Sequence, residues 1–468
     1  MFKAIFTNSF GILFSRILGF LRDLLTASVL GASIYSDIFF IAFKLPNLFR
    51  RIFAEGAFTQ VFLPAYAKSR HKAVFAVHIF VLFLAIILLI TLLVNIAPIL
   101  FTKAIATGFD AKTIAIAAPY VSINFWYLPL IFSVTFLASM LQYKHHFATT
   151  AFATALLNLS LIGALLLAKD KSSAEIVYYL SFGVVIGGVL QLIAHLIAIY
   201  RLGLMKLLFG GFKYLRTKSS IIKDDTKKFK NNFFPAIWGN STAQISAFLD
   251  TFLASFLATG SISYLYYANR IFQLPLALFA IATSVALFPR VARYLKNNDE
   301  QKALENLGRA FWFLTFLLTA STIGGIILSH EIITLLFERG AFDAADTQHT
   351  SLVLIMYLMG LLPFGLQKLF VLWLYAKEMQ MRAAKIATIS LLVYVVFALS
   401  FIQPFGVAGL ALASTLGGFV SLFFTIKIFG WQNFFAILRS RNLLYLIAGS
   451  LIFSVVLLIL KDFISDYI

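Results

Sequence analysis

Apolar residues run along this chain in long blocks, and polar residues gather in the short gaps between them. A helix rises about 1.5 Å per residue, so about 20 apolar residues cross the hydrocarbon core of a bilayer. Blocks of that length lie at roughly 6–30, 36–66, 74–102, 117–142, 148–168, 176–200, 232–258, 262–294, 307–329, 349–376, 384–402, 407–428 and 442–460. The pattern predicts an all-α polytopic membrane protein with about thirteen spans.

Two parts of the pattern match each other. ASVLGASIYSDIFFIAFKLP (27–46) aligns with ASFLATGSISYLYYANRIFQLP (254–275) once two residues are inserted. Both run Ala-Ser, a Gly-containing turn, an aromatic helix and Leu-Pro. Further on, Phe62-Leu63-Pro64 matches Leu287-Phe288-Pro289. Each half holds about six spans, an even number, so both begin on the same side of the membrane. This predicts two six-helix lobes related by a parallel pseudo-two-fold repeat, with about one extra C-terminal transmembrane helix. The expected boundaries are 1–200 for the N-lobe, 201–231 for a basic cytoplasmic linker, 232–430 for the C-lobe and 431–468 for the extra helix and tail.

The gaps orient the chain. With the N-terminus in the cytoplasm, the cytoplasmic loops carry Lys68, Arg70 and Lys72, then Lys144, then Arg290, Arg293 and Lys296, then Lys377, Arg382 and Lys385. The opposite loop at 330–346 holds Glu331, Glu338, Asp343 and Asp346 against Arg339. That asymmetry is the positive-inside pattern. The 201–231 segment alone carries nine basic residues, which suit a solvated linker or a basic stretch on anionic headgroups. MFKAIFTNSF lacks the apolar core and small-residue cleavage site of a removable signal peptide.

Composition agrees. The 468 residues are 61% hydrophobic and 12% charged, about half the charged share of a soluble domain. The formal net charge of +19 is accounted for by the cytoplasmic loops, so no nucleic-acid partner is expected. Cysteine is absent, which removes disulfides, thiolate metal sites and a Cys nucleophile. No His-x-x-Glu-His, P-loop or Gly-x-Ser-x-Gly motif occurs, and the chain is not expected to be an enzyme or to hold a metal or cofactor.

Some charges lie inside the spans. Arg16, Arg22, Lys44, Arg50 and Arg51 fall within the first two blocks. A charge at bilayer depth costs about 2.5–3.5 kcal/mol on insertion scales, so such residues face a protein interior or water. Asp37, Lys44 and Arg51 are spaced by seven, nearly two helical turns, and Glu55 continues the stripe. Pro46 removes a backbone hydrogen bond and is expected to kink the helix. Arg50 and Arg51 also suit headgroup anchoring, and Arg16 and Arg22 suit internal ion pairs with Asp23 or Asp37. In the second half Ser263, Tyr266, Arg270 and Gln273 share one helical face, and Asn240 and Gln244 lie four apart on the preceding span. The repeat brings Arg270 into correspondence with the first-half cations. Guanidinium forks match phosphate oxygens bidentately, so an anionic phosphate or pyrophosphate headgroup is favoured over a neutral solute.

FSRILGFLRD (14–23) and SDIFFIAFKLPNLFRRIFAEGAFTQVFLPAYA (36–67) strongly resemble the start of the MurJ (MviN) family. These are lipid II flippases of bacterial peptidoglycan synthesis, in the multidrug/oligosaccharidyl-lipid/polysaccharide exporter superfamily. The likeness continues through 255–275 and thins after about residue 430. The resemblance implies a cationic cavity that opens alternately to either side of the inner membrane. It implies that Arg16, Arg22, Arg50 and Arg270 bind the diphosphate of lipid II. Asp37, Lys44, Arg51 and Glu55 would position them or form gates, with Asn240, Gln244, Ser263 and Gln273 as secondary cavity residues. Membrane potential or a coupling cation would assist, and membrane lipids and the cell-wall synthesis machinery would be partners. Family members usually end in two further helices that form a groove for the polyprenyl tail, whereas this chain has room for about one. Family sodium sites use acids where this chain has Asn240, Ser241 and Gln244, so no sodium site is expected.

Other readings are a flippase for another polyprenyl-linked oligosaccharide and a cation-coupled exporter of the same superfamily. From a different class comes a non-transporting membrane scaffold whose buried arginines are structural.

Overall fold

Every regular element among the described residues is helical. The structure is a computed structural model. It describes residues 2–50 and 58–465, and the side chains of all of these except 2–9, 218–220, 234, 236, 238–243, 462 and 464–465. Contacts divide the chain into two units, 1–256 and 257–468.

The first unit contains α1 (Phe2–Leu30), α2 (Ile34–Phe49), α3 (Thr59–Lys68), α4 (Lys72–Ile96), α5 (Pro98–Ile105), α6 (Ala111–Phe125), α7 (Tyr127–Tyr143), α8 (Ala148–Ala168), α9 (Ser173–Arg201), α10 (Met205–Lys218) and α11 (Lys223–Ala254). Local chemistry sets several starts. Ser33 and Ser36 form a capping box at α2, and Ser172 and Glu175 form another at α9, each satisfying orphan N–H groups. Pro98 opens α5, where its missing N–H costs nothing. α1 packs on α8, and α8 on α9. At Gly187 a Cβ would lie 3.0 Å from the Leu157 Cα, so the bare glycine lets these two helices meet closely. The core between α3, α4, α7 and α11 is aromatic: Phe58 stands edge-on to Phe132 at 5.4 Å, and Phe83 to Phe233 at 4.9 Å.

The second unit contains α12 (Ser261–Pro275), a π-helical turn (Leu276–Ile281), α13 (Ala282–Lys296), α14 (Glu300–Ile327), α15 (Ser329–Phe337), α16 (Ala344–Leu358), α17 (Leu361–Ala376), α18 (Gln380–Phe429), α19 (Trp431–Leu438) and α20 (Asn442–Ser465). Its spans break where those of the first unit break. α4–α5 breaks at Ala97 and α14–α15 at Leu328. α6–α7 breaks at Trp126 and α16–α17 near Gly360. α2 passes Pro46 into π-helical backbone at Arg50, and α12 passes Pro275 into its π turn. The repeat read from 27–46 and 254–275 thus extends to the interruptions inside the helices.

α18 is 50 residues long, about 75 Å if straight and far longer than one crossing requires. It turns back at Gly406, whose φ of 53° and ψ of −133° suit glycine alone. The Ser390 hydroxyl donates to the Gly417 carbonyl at 2.7 Å, so the two arms lie side by side as the separate spans expected at 384–402 and 407–428. Nothing lies within 4 Å of a Cβ built on Gly406, so a side chain there meets backbone strain and no clash. Gly406→Ala is expected to cost about 1–3 kcal/mol, read as a lowered unfolding midpoint in detergent. An unchanged midpoint would rule out strain as the reason for the glycine.

Nine helical runs among the described residues are long and apolar enough to cross a membrane. α1, the α2–α3 run and α11 are not among them, and α18 enters as one run although it forms two arms. α20 supplies the extra C-terminal helix. It packs mainly on α14, and Lys461 reaches Glu331 at 3.5 Å.

The 201–231 segment is mostly helical. In α10 a Cβ on Gly211 would lie 2.4 Å from the Ala73 carbonyl oxygen, so the glycine seats α10 against α4. α11 continues without interruption from Lys223 to Ala254 and groups with the first unit. Near the start of α14, Lys302 donates to Asp299 at 2.7 Å and holds that carboxyl below the usual carboxylate range. Lys377 bridges from the end of α17 to Glu300 at 2.9 Å.

Candidate anion-binding site

α1 places Arg16 and Arg22 in different surroundings. Arg16 is exposed and has no ion-pair partner among the described residues. Arg22 is buried against α8. Its Nε and Nη2 donate to Asp23 Oδ1 at 3.1 and 2.5 Å, and its Nη1 donates to Asn158 Oδ1 at 3.1 Å. Asn158 Nδ2 in turn donates to the Ser15 carbonyl at 3.0 Å. A Cβ on Gly19 would stand 3.3 Å from Asn158 Nδ2, so the glycine leaves room for this amide. The Arg22–Asp23 pair is one of the internal pairs that the sequence offered. Asn158, 136 residues from Arg22, is a partner that sequence reasoning missed. Its signal was a lone amide within the apolar 148–168 block.

α2 carries Asp37, buried in its first turn, and Lys44, half-buried. The Arg50 guanidinium donates to Asn47 Oδ1 through Nε at 3.0 Å and Nη2 at 2.9 Å. That contact uses one edge of the fork and sets its direction. Arg51 and Glu55 lie outside the described residues, so the stripe is seen as far as Lys44.

In the second unit, α12 positions Arg270. The guanidinium carbon sits 4.7 Å from the centre of the Tyr266 ring, and Nη2 donates to the Tyr266 hydroxyl at 2.5 Å. Tyr266 therefore fixes the cation from one helical turn away. Ser263 is fully buried, and Gln273 is exposed and bonded to Asn269. Gln244 is half-buried on α11 in the first unit, and the Asn240 side chain lies outside the described set.

Sequence reasoning also missed Lys368. It stands in α17 with its side chain exposed, between buried Leu366 and Leu369. Its signal was plain: a lysine inside the 349–376 block. Among the described residues, no group of three or more His, Asp or Glu residues is placed to hold a metal ion. Arginines and lysines inside apolar spans can bind an anion that crosses the membrane.

A repeated helical architecture with cations inside its apolar blocks fits the class of polytopic membrane transporters. The fold agrees with a solved structure described as "Lipid II flippase MurJ, inward closed conformation", at a TM-score of 0.79 and 25% identity, covering 98% of each chain. It also agrees with an inward-facing multidrug resistance MATE family transporter of the MOP superfamily, at a TM-score of 0.67 and 13% identity over 93% of this chain and 99% of that one. The family profile described as "Lipid II flippase MurJ" matches residues 26–468, and the chain belongs to that family. Among relatives, the "Probable lipid II flippase MurJ" of Helicobacter pylori strain J99 is 52% identical over 88% of this chain and 92% of its own length. The protein of the same name from Aquifex aeolicus is 32% identical over 89% of this chain and 81% of its own.

Proposed function

We propose that this protein carries lipid II from the cytoplasmic to the outer leaflet of the bacterial inner membrane, by alternating access. The observation that carries this reading is the 52% identity to a relative named as a lipid II flippase, joined to guanidinium groups held inside the spans. In this reading Arg16, Arg50 and Arg270 take the diphosphate. Arg22 shapes the path from within its bonds to Asp23 and Asn158. Lys44 and Lys368 add positive field, and Asp37, Arg51 and Glu55 set or gate it. Gln244, Ser263, Gln273 and Asn240 offer neutral contacts to the headgroup.

The N-terminus lies in the cytoplasm, which places the lysine- and arginine-rich loops inside. Membrane potential then favours the export of an anion. A negative charge moved outward gains about 2.3 kcal/mol per 100 mV when the interior is negative. The cell-wall synthesis machinery would take up the delivered precursor.

The test is depletion in cells that have no other copy of the activity. Lipid II is expected to build up in the cytoplasmic leaflet, out of reach of a periplasmic probe, and Lys368→Ala is expected to restore only part of the flux. Unchanged periplasmic access to lipid II after depletion would sink the proposal.

A further inference from the structure

The first unit holds a cavity of about 600 Å³, of whose lining the proposed transport path uses Arg50. It lies between the end of α2, the middle of α4, the start of α7 and the start of α11. Ile86, Ile90, Ile131 and Phe233 are part of an almost wholly apolar wall. Two described lining residues are charged, and both are cations: Arg50 and Lys230. The volume falls in the range of sites that enclose small ligands. An apolar chamber whose charged lining residues are cations is complementary to an amphiphile that has a hydrocarbon chain and an anionic head.

The surroundings select among amphiphiles. Ser69, just past the end of α3, donates to Asp225 at the start of α11 at 2.7 Å, which ties those two helix ends together. The same end of the unit carries Lys68, Lys72, Lys227 and Lys228 beside Lys230. Such a cluster concentrates anionic headgroups from the adjoining leaflet. The chamber has room for a length of one chain, which suits one acyl chain of an ordinary membrane lipid better than a long polyprenyl tail. Ile86 is 48% exposed in the structure although it stands mid-helix, so the wall is open to such a chain.

We propose that this cavity is a binding site for an anionic glycerophospholipid, with one acyl chain among Ile86, Ile90, Ile131 and Phe233 and the phosphate on Lys230 and Arg50. The bound lipid shares Arg50 with the proposed transport path, so its occupancy sets how much of that guanidinium is available to cargo. The site itself does not depend on what the cargo is.

The test uses the full-length protein released from nanodiscs of phosphatidylglycerol or of phosphatidylcholine, with bound lipid counted by native mass spectrometry. One phosphatidylglycerol is expected to stay bound in preference to phosphatidylcholine. Lys230→Gln, at an exposed position that the fold does not need, is expected to lower its retention about tenfold, the size of one lost charge-assisted contact. Ile86→Trp, which fills the chamber, is expected to abolish retention, while Lys427→Gln leaves it unchanged. Equal retention of the two lipids, or retention unaffected by both cavity variants, overturns the proposal. So does a polyprenyl phosphate that displaces phosphatidylglycerol from the wild type but does not bind Ile86→Trp. Lipid II added to the same samples separates the two readings. Lipid II binding without cavity-dependent phosphatidylglycerol defeats this inference alone, and the reverse defeats the proposed cargo alone.

Discussion

Arg270→Ala is expected to abolish lipid II transport while the protein still folds and reaches the membrane. The side chain is half-buried and rests on the ring and hydroxyl of Tyr266, within its own helix. What is lost is a planar donor fork held at a fixed angle. A charge-assisted hydrogen bond contributes about 1.5–3 kcal/mol, so losing two to a diphosphate lowers affinity by a factor of about 10²–10⁴. Arg270→Lys keeps the charge but loses the fork and the stacking on Tyr266, and is expected to be impaired as well. Flipping of fluorescent lipid II in proteoliposomes would measure both variants. Wild-type flux in Arg270→Ala would show that the residue does not contact the cargo.

Asp23→Ala is expected to act in the opposite way, through stability. Asp23 is 2% exposed and accepts two donors from Arg22. Deleting it takes from the buried guanidinium the carboxylate that accepts from its Nε and Nη2. Breaking one side of a buried ion pair costs about 3–5 kcal/mol, a large share of the stability of an ordinary domain. Accumulation in the membrane and the unfolding midpoint should both fall. The double variant Arg22→Met, Asp23→Leu removes both charges and should recover much of the stability. If it also recovered transport, the role of Arg22 would be structural, as a scaffold reading requires. Stability without transport would place Arg22 in the anion's path.

The spans, their repeat and the basic side chains within them were legible because each is a local property of composition and period. Apolar blocks of about 20 residues have one cheap solution in lipid. The helix breaks at Trp126 and Gly360 were less legible. Each lies three residues before a proline, Pro129 and Pro363, whose missing N–H interrupts the helix, but a proline inside an apolar block does not by itself separate a break from a kink. The partner of Arg22 was hidden for a different reason. Asp23 is adjacent in sequence and could be named, but Asn158 meets Arg22 only because α1 lies on α8 through Gly11 and Gly19, where a Cβ would stand 2.9 Å from the Ala151 Cβ and 3.3 Å from Asn158 Nδ2. Lys368 was readable in principle. Attention to charge in the first two blocks passed over a single lysine in the tenth.

The π-helical turn at Leu276–Ile281 constrains how this chain can change over evolutionary time. A π turn closes with one residue more than an α turn. Deleting one residue there would let the turn close as an α turn and leave the helix downstream facing nearly as before. The same deletion in the regular helix of α12 would rotate everything after it by about 100°, and Ser284 and Val291, the buried residues of α13, would leave their seats together with the arginines that follow. Length can thus change by one residue in the turn, whereas a change beside it re-indexes a whole arm. Where relatives differ by one residue in the spacing between Arg270 and Arg290, the difference should fall in this turn.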